Sequence, residues 1–175
     1  IKKYIELLWN ERSYDDNWQT DPDLHTKPAF KPFVDLILNT NREILKTLDY
    51  EVENIAIPDM WANVLRPGET HPPHTHSNNF LSGVYYVYSD KDAGITFSDP
   101  RPASDVIVPR KTKKTHSNSN LLSYKSQANR AIIFPSWLQH WVPVNKSTRK
   151  RTSISWNIQL KGQVGEHNEY QSANF

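Results

Sequence analysis

His74 and His76 stand one residue apart at the end of Gly68-Glu69-Thr70-His71-Pro72-Pro73-His74-Thr75-His76, and His140 follows far downstream. Side chains alternate across an extended backbone, so two histidines separated by one residue project to the same side, and a distant third imidazole can close a facial set around a metal ion. The Pro72-Pro73 step stiffens the approach and biases it toward extended geometry. His71, three residues before His74, is a further polar group at this end of the chain and a secondary or substrate-side candidate. The plain alternative is a histidine-rich surface loop. Three histidines within six residues, in a chain with 7 in all, favour a metal site.

His140 sits in Phe134-Pro135-Ser136-Trp137-Leu138-Gln139-His140-Trp141. Apolar walls on both sides would keep water away while one imidazole points inward; a neutral histidine satisfied in the core is the blander reading. Shortly after it comes Arg151-Thr152-Ser153. An arginine most often pairs with a surface carboxylate, but Arg151 and Ser153, two apart on one strand face, form a fork and a hydroxyl able to hold a carboxylate bidentately with one extra donor. A metal site beside such a fork calls for a co-substrate that carries a carboxylate.

These groups need a β framework. From Met60 onward the chain breaks into short β-like runs: Trp61–Arg66, Phe80–Tyr88, Gly94–Ser98, Val106–Pro109, Leu121–Lys125, Ala131–Phe134, His140–Val144 and Arg151–Leu160. Short strands with turn residues between them predict a mainly β double-stranded β-helix, or jelly roll. In the last run one face carries Arg151, Ser153, Ser155, Asn157 and Gln159, and the other Thr152, Ile154, Trp156, Ile158 and Leu160. A polar strand face usually meets solvent; with Arg151 in it, the preferred reading is that the polar face lines a cavity and the apolar face meets N-terminal helices. Two such helices are predicted, over Lys2–Trp9 and Phe30–Leu48, from apolar stripes near the 3.6 period. They should pack on the outer face of one sheet. Asn10–Pro28 reads as loop, Lys111–Asn120 as a mobile loop, and Lys161–Phe175 as a polar tail or edge segment.

The 175 residues fit a single domain, with residues 1–58 as helical support, 59–160 as the jelly-roll core and 161–175 as tail. Lys+Arg 21 against Asp+Glu 19 gives no electrostatic argument for a dedicated nucleic-acid or membrane-surface protein. With no cysteine, disulfide frameworks, Cys-ligated metals and thiol nucleophiles are excluded. No apolar run approaches the roughly 18 residues of a membrane span and no signal segment opens the chain, so a cytoplasmic protein is expected. The sequence starts at Ile1 rather than Met, which leaves open whether an upstream portion is missing.

Several blocks carry a resemblance. His74-Thr75-His76, Leu81-Ser82-Gly83-Val84-Tyr85-Tyr86-Val87, Phe97-Ser98-Asp99-Pro100-Arg101, Phe134-Pro135-Ser136-Trp137-Leu138-Gln139-His140 and Arg151-Thr152-Ser153-Ile154-Ser155-Trp156-Asn157 resemble the successive blocks of a family of 2-oxoglutarate/Fe(II)-dependent oxygenases of bacteria and their phages, related to the prolyl 4-hydroxylase-like enzymes. The likeness covers about residues 60 to 160, with a looser match from Trp18. It implies Fe(II) between the sheets of a jelly roll, with the co-substrate 2-oxoglutarate beside it. It places His74 at the first ligand position, His140 at the distal one, and Arg151 with Ser153 on the far carboxylate. A tyrosine from Tyr85 or Tyr86, only one of which can face in, would add a hydrogen bond, and Asn63 is grouped with these co-substrate contacts. His71, Asp99, Arg101, Trp137 and Asn157 are substrate-side or secondary candidates.

The departure is at His76, where the wider superfamily has Asp or Glu. Either His76 completes a three-histidine set, or a carboxylate from elsewhere, with Asp99 as candidate, does so. The implied reaction is dioxygen-dependent hydroxylation of a C–H bond coupled to decarboxylation of 2-oxoglutarate to succinate. The prime substrate is unidentified, with a peptidyl side chain favoured by analogy; the setting implied is the cytoplasm of a bacterium or phage-infected host. Two other readings stay open: a cupin-type three-histidine metalloprotein, which lacks the expected glutamate at Phe80 or Leu81 and gives Arg151 no role, and a non-catalytic jelly-roll binding module.

Overall fold

The computed structural model describes residues 1–11, 18–90, 93–101, 103–166 and 170–175. Its helices are α1 (Lys2–Glu11) and α2 (Lys31–Thr47), with short 3-10 turns at Leu24–Thr26 and Pro28–Phe30. Its strands are β1 (Trp18–Gln19), β2 (Asn54–Ala56), β3 (Met60–Leu65), β4 (His71–His74), β5 (Leu81–Tyr88), β6 (Ile95–Ser98), β7 (Leu121–Tyr124), β8 (Ala131–Pro135), β9 (His140–Val142), β10 (Arg151–Lys161), β11 (Gln163–Val164) and β12 (Ala173–Asn174). The fold is mainly β with antiparallel pairing throughout these strands, the jelly-roll arrangement that the short runs predict.

Among the described residues, one sheet has the order β1-β3-β10-β5-β8 with β2 also on β10, a second has the order β4-β9-β6-β7, and β11 and β12 form a small third. Strand β10 organises the first sheet because it pairs β2 and β3 on one side and β5 on the other. Its even face carries Ile154, Trp156 and Ile158, each at most 1% exposed, in one core cluster with Ile5 of α1 and Ile37 and Leu45 of α2. Phe33 of α2 packs edge-on to Trp156 at 6.0 Å and against Tyr85 at 5.3 Å. Its odd face carries Arg151, Ser153, Ser155 and Asn157, all of which line an internal cavity.

Gly83 lies opposite Trp156 in the β5–β10 register, and a β-carbon there would land on the indole ring. Because that ring is held by the helices, it cannot yield cheaply. Gly83→Ala is expected to cost about 1–3 kcal/mol through overpacking, visible as a lowered midpoint in thermal denaturation; an unchanged midpoint would show that the indole can shift.

The second sheet is narrower. Its edge strand β4 contains Pro72 and Pro73, which a central strand would reject because each removes a ladder donor. A positive-φ Gly68 (87°) opens the turn before β4, and buried Asn145 closes it: Asn145 O accepts from Gly68 N at 2.8 Å, and its Nδ2 donates to Leu65 O at 3.1 Å.

Three expectations need correction. Val106–Pro109 is not a strand; Val106 is 78% and Ile107 84% exposed in the turns between β6 and β7. β-Branched composition favours a pleated, half-buried surface, and with β6 paired to β7 directly this segment has no such surface to join. Asn10–Pro28 is not all loop, since Trp18–Gln19 pairs with β3 at Val64 and Asn63; residues 12–17 of that segment lie outside the described residues. The tail folds back as β11 on β12, with residues 167–169 outside the described set.

Candidate metal and co-substrate site

His74 of β4 is the direct cross-strand partner of His140 of β9, so the two imidazoles share one face and lie with ring centroids 4.3 Å apart. Just past β4 the chain crosses toward the other sheet, held by His76 N donating to Ser136 O at 2.9 Å. That brings the His76 ring to 5.1 Å from each of the other two. Ligand atoms of His74, His76 and His140 all lie within 4.8 Å of one another, with His140 only 4% exposed.

All three rings are prepared in the same way. His74 Nδ1 meets Pro72 O at 2.8 Å and His140 Nδ1 meets Leu138 O at 2.8 Å. His76 Nδ1 meets Asn157 Oδ1 at 2.5 Å and Ser82 Oγ at 3.1 Å. A carbonyl oxygen only accepts, so each Nδ1 presents an N–H to its acceptor, and Nε2 is the nitrogen left to face a metal. Metal-binding histidines are held by such an outer acceptor as a rule. Burial lowers the pKa of His140 to about 4, and burial also lowers that of His76, so both rings are neutral at neutral pH. Phe134 at 4.6 Å and Phe97 at 5.9 Å wall the His140 ring. The donor set fits a borderline divalent ion such as Fe(II).

The cavity has a volume of about 430 Å³ and runs from this group to Arg151. Arg151 is 4% exposed and has no acidic partner among the described residues; its Nη1 donates to Ser153 Oγ at 3.1 Å, and its Nε has no acceptor. Its guanidinium lies 5.0 Å over the ring of fully buried Tyr86, whose hydroxyl also lacks a partner. Burial pulls the Arg151 pKa down and pushes that of Tyr86 up, each opposed by the other. A buried cation without a counterion is costly. With two unsatisfied donors beside it, this end of the cavity fits a carboxylate, as the far group of 2-oxoglutarate would supply.

The register decides between the neighbouring tyrosines. Tyr86 pairs with Ser153 and shares its inward face, whereas Tyr85 pairs with Ile154, packs on Phe33 and donates its hydroxyl to Asn129 Oδ1 at 3.0 Å. Asn63, His71, Ser153 and Asn157 line the cavity. Trp137 is 62% exposed and does not. Asp99 and Arg101 pair with each other at 2.6 Å, the arginine holding the Asp99 pKa at about 2, in a depression formed with the 103–120 loop. Asp99 is therefore no part of the imidazole group. Sequence reasoning missed Trp18, Gln19, Asp59 and Ser82. Gln19 Nε2 donates to Asn63 Oδ1 at 2.7 Å, and nothing in a short polar loop segment signals that.

A jelly roll that encloses three convergent imidazoles beside an acid-free buried arginine defines a metal-dependent protein with an anionic co-ligand. Residues 59–157 match the family model described as "Putative 2OG-Fe(II) oxygenase", and the chain belongs to this 2OG-Fe(II) oxygenase family, whose enzymes take iron and 2-oxoglutarate. That membership decides among the three jelly-roll readings the sequence left open. No curated protein matches the sequence. Among solved structures, the chain is similar to a 2OG-Fe(II) oxygenase family oxidoreductase from Burkholderia pseudomallei (TM-score 0.61, 13% identity, covering 90% of this chain and 76% of that one). It is also similar to HygX from Streptomyces hygroscopicus with nickel and 2-oxoglutarate bound (TM-score 0.58, 10% identity, 90% and 75% covered). A third likeness is to the viral collagen prolyl hydroxylase of Paramecium bursaria Chlorella virus-1 in its 2-oxoglutarate complex (TM-score 0.55, 13% identity, 90% and 87% covered). At these identities the structures speak for the fold. Among the described residues no helix is long and apolar enough to cross a membrane.

Proposed function

We propose that this chain is a dioxygenase that hydroxylates a C–H bond, with His74, His76 and His140 holding Fe(II) and Arg151, Ser153 and Tyr86 holding the far carboxylate of 2-oxoglutarate. The observation that carries the reading is Arg151, buried without an acid in the same cavity as the three imidazoles. Bound there, Fe(II) would supply the centre at which dioxygen and 2-oxoglutarate react, giving succinate, carbon dioxide and a hydroxylated product.

The chain's own residues contribute orientation and exclusion of water. Three imidazoles on one side leave the opposite side open to ligands. The Arg151 fork fixes the far end of the co-substrate, so its keto-acid end reaches the imidazole group in one orientation. His71 and Asn63 line the wall between, as polar contacts to the co-substrate. Val84, Ile95 and Phe134 give the cavity an apolar side that keeps water from the reacting groups. The charge balance also favours the reading: three imidazole ligands would leave a divalent ion uncompensated, and a dianionic co-substrate would offset the charge of both the ion and the arginine.

The prime substrate is proposed to be a peptidyl side chain, an analogy with the viral collagen prolyl hydroxylase of similar fold. Anaerobic titration of the Fe(II)-loaded protein with 2-oxoglutarate is expected to develop a weak visible metal-to-ligand charge-transfer band, the mark of keto-acid chelation. If metal is bound and no band develops, the co-substrate assignment fails.

A further inference from the structure

The acceptors behind His74 and His140 are backbone carbonyls, fixed by the fold, but the acceptor behind His76 is a side-chain amide that could face either way. Asn157 Nδ2 donates to Asp59 Oδ1 at 2.5 Å, and Asn157 Oδ1 accepts from His76 Nδ1 and from Ser82 Oγ, the latter at 2.7 Å. A second tie fixes the pair, as Asn157 N donates to Asp59 O at 3.2 Å just beyond the Trp156–Met60 register. An ionised carboxylate accepts only. The Asn157 NH₂ must therefore face Asp59, its oxygen must face His76, and the imidazole must present an N–H at Nδ1. Ser82 cannot undo this. Its proton goes to Asn157, and its own oxygen accepts from Ser136 Oγ at 2.7 Å.

We propose that Asp59, acting through the Asn157 amide, locks His76 in the Nδ1–H tautomer and so reserves its Nε2 lone pair for the metal. Asp59 is then a positioning residue and not a ligand. It is also the sole carboxylate among the residues lining the cavity, and its second oxygen has no partner among the described residues. Three imidazole ligands would bring no negative charge to a divalent ion. Asp59, one amide removed, is the acid that stands behind His76. The inference rests on the three-histidine reading of the site.

The experiment compares wild type, Asp59→Asn and the swap Asp59→Asn/Asn157→Asp. In the swap, the amide introduced at position 59 would donate to an acceptor-only carboxylate at position 157, which meets His76 directly. Two quantities are read: the Co(II) dissociation constant, and the tautomer of His76 in metal-free protein from long-range ¹⁵N–¹H NMR correlations. Asp59→Asn replaces an acceptor-only group by one that can also donate, so the amide can reverse. It is expected to weaken Co(II) binding by about 10–100-fold, the range for removing an outer partner of a ligand, and to populate both tautomers; the swap is expected to restore both readouts. Wild-type affinity in Asp59→Asn, a loss of affinity with the tautomer unchanged, or a swap that stays weak would each overturn the proposal. Failure of the wild type itself to bind Co(II) would instead remove the three-histidine reading on which it stands.

Discussion

Arg151→Ala is expected to raise the dissociation constant for 2-oxoglutarate by about tenfold or more. A charge-assisted hydrogen bond is worth roughly 1.5–3 kcal/mol, and each 1.4 kcal/mol or so is a factor of about ten in affinity. Arg151 is the only Lys or Arg among the cavity-lining residues; it has no acidic partner among the described residues, and Asp59, the one carboxylate lining the cavity, is bonded to Asn157 instead. The measurement is calorimetric titration of metal-loaded protein under anaerobic conditions. Arg151→Lys separates charge from shape, because an ammonium keeps the sign but not the planar fork, and should fall between wild type and alanine. Arg151→Met is a control for folding: it removes a desolvated cation and fills the space, so the metal- and ligand-free protein should lose little or no thermal stability. Undiminished affinity in Arg151→Ala would sink the assigned role.

His140→Ala is expected to abolish stoichiometric iron binding. Of the three imidazoles it is the most buried, it sits at the start of β9 with its Nδ1 on Leu138 O, and its removal leaves two ligands on one segment with no third from the opposite strand. The readout is metal content after anaerobic reconstitution and desalting, with thermal denaturation beside it, because the deletion also opens a gap between Phe134 and Phe97. His140→Gln fills more of that gap and should bind as poorly as alanine. Iron retained at one equivalent would take His140 out of the ligand set.

What the sequence discloses depends on how local the determinant is. The alternation in β10 is local, and it sorts Ile154, Trp156 and Ile158 from Arg151, Ser153 and Asn157 before any partner is known. The spacing of His74 and His76 is equally local. The choice between Tyr85 and Tyr86 is not, because it follows from a register that shifts between Thr152 and Ser153 against β5. Asp59 was illegible for a related reason: an aspartate after Ile57-Pro58 looks like any turn residue, and only the β3–β10 pairing brings it to Asn157. Val106–Pro109 misled in the opposite sense, since its residues have the composition of a strand and the topology provides no edge for one.

The prolines of β4 bear on how a polypeptide, were it the substrate, could reach the three imidazoles. An edge strand is ordinarily an invitation to a visiting chain, which adds itself to the sheet through main-chain hydrogen bonds. At Pro72 and Pro73 that invitation is withdrawn, because neither has an N–H to offer. A peptide cannot therefore zip along the rim beside His74. On the peptidyl proposal, a substrate would instead present its reactive residue end-on, from a loop or a terminus, and recognition would rest on the side chain that enters rather than on the backbone that carries it.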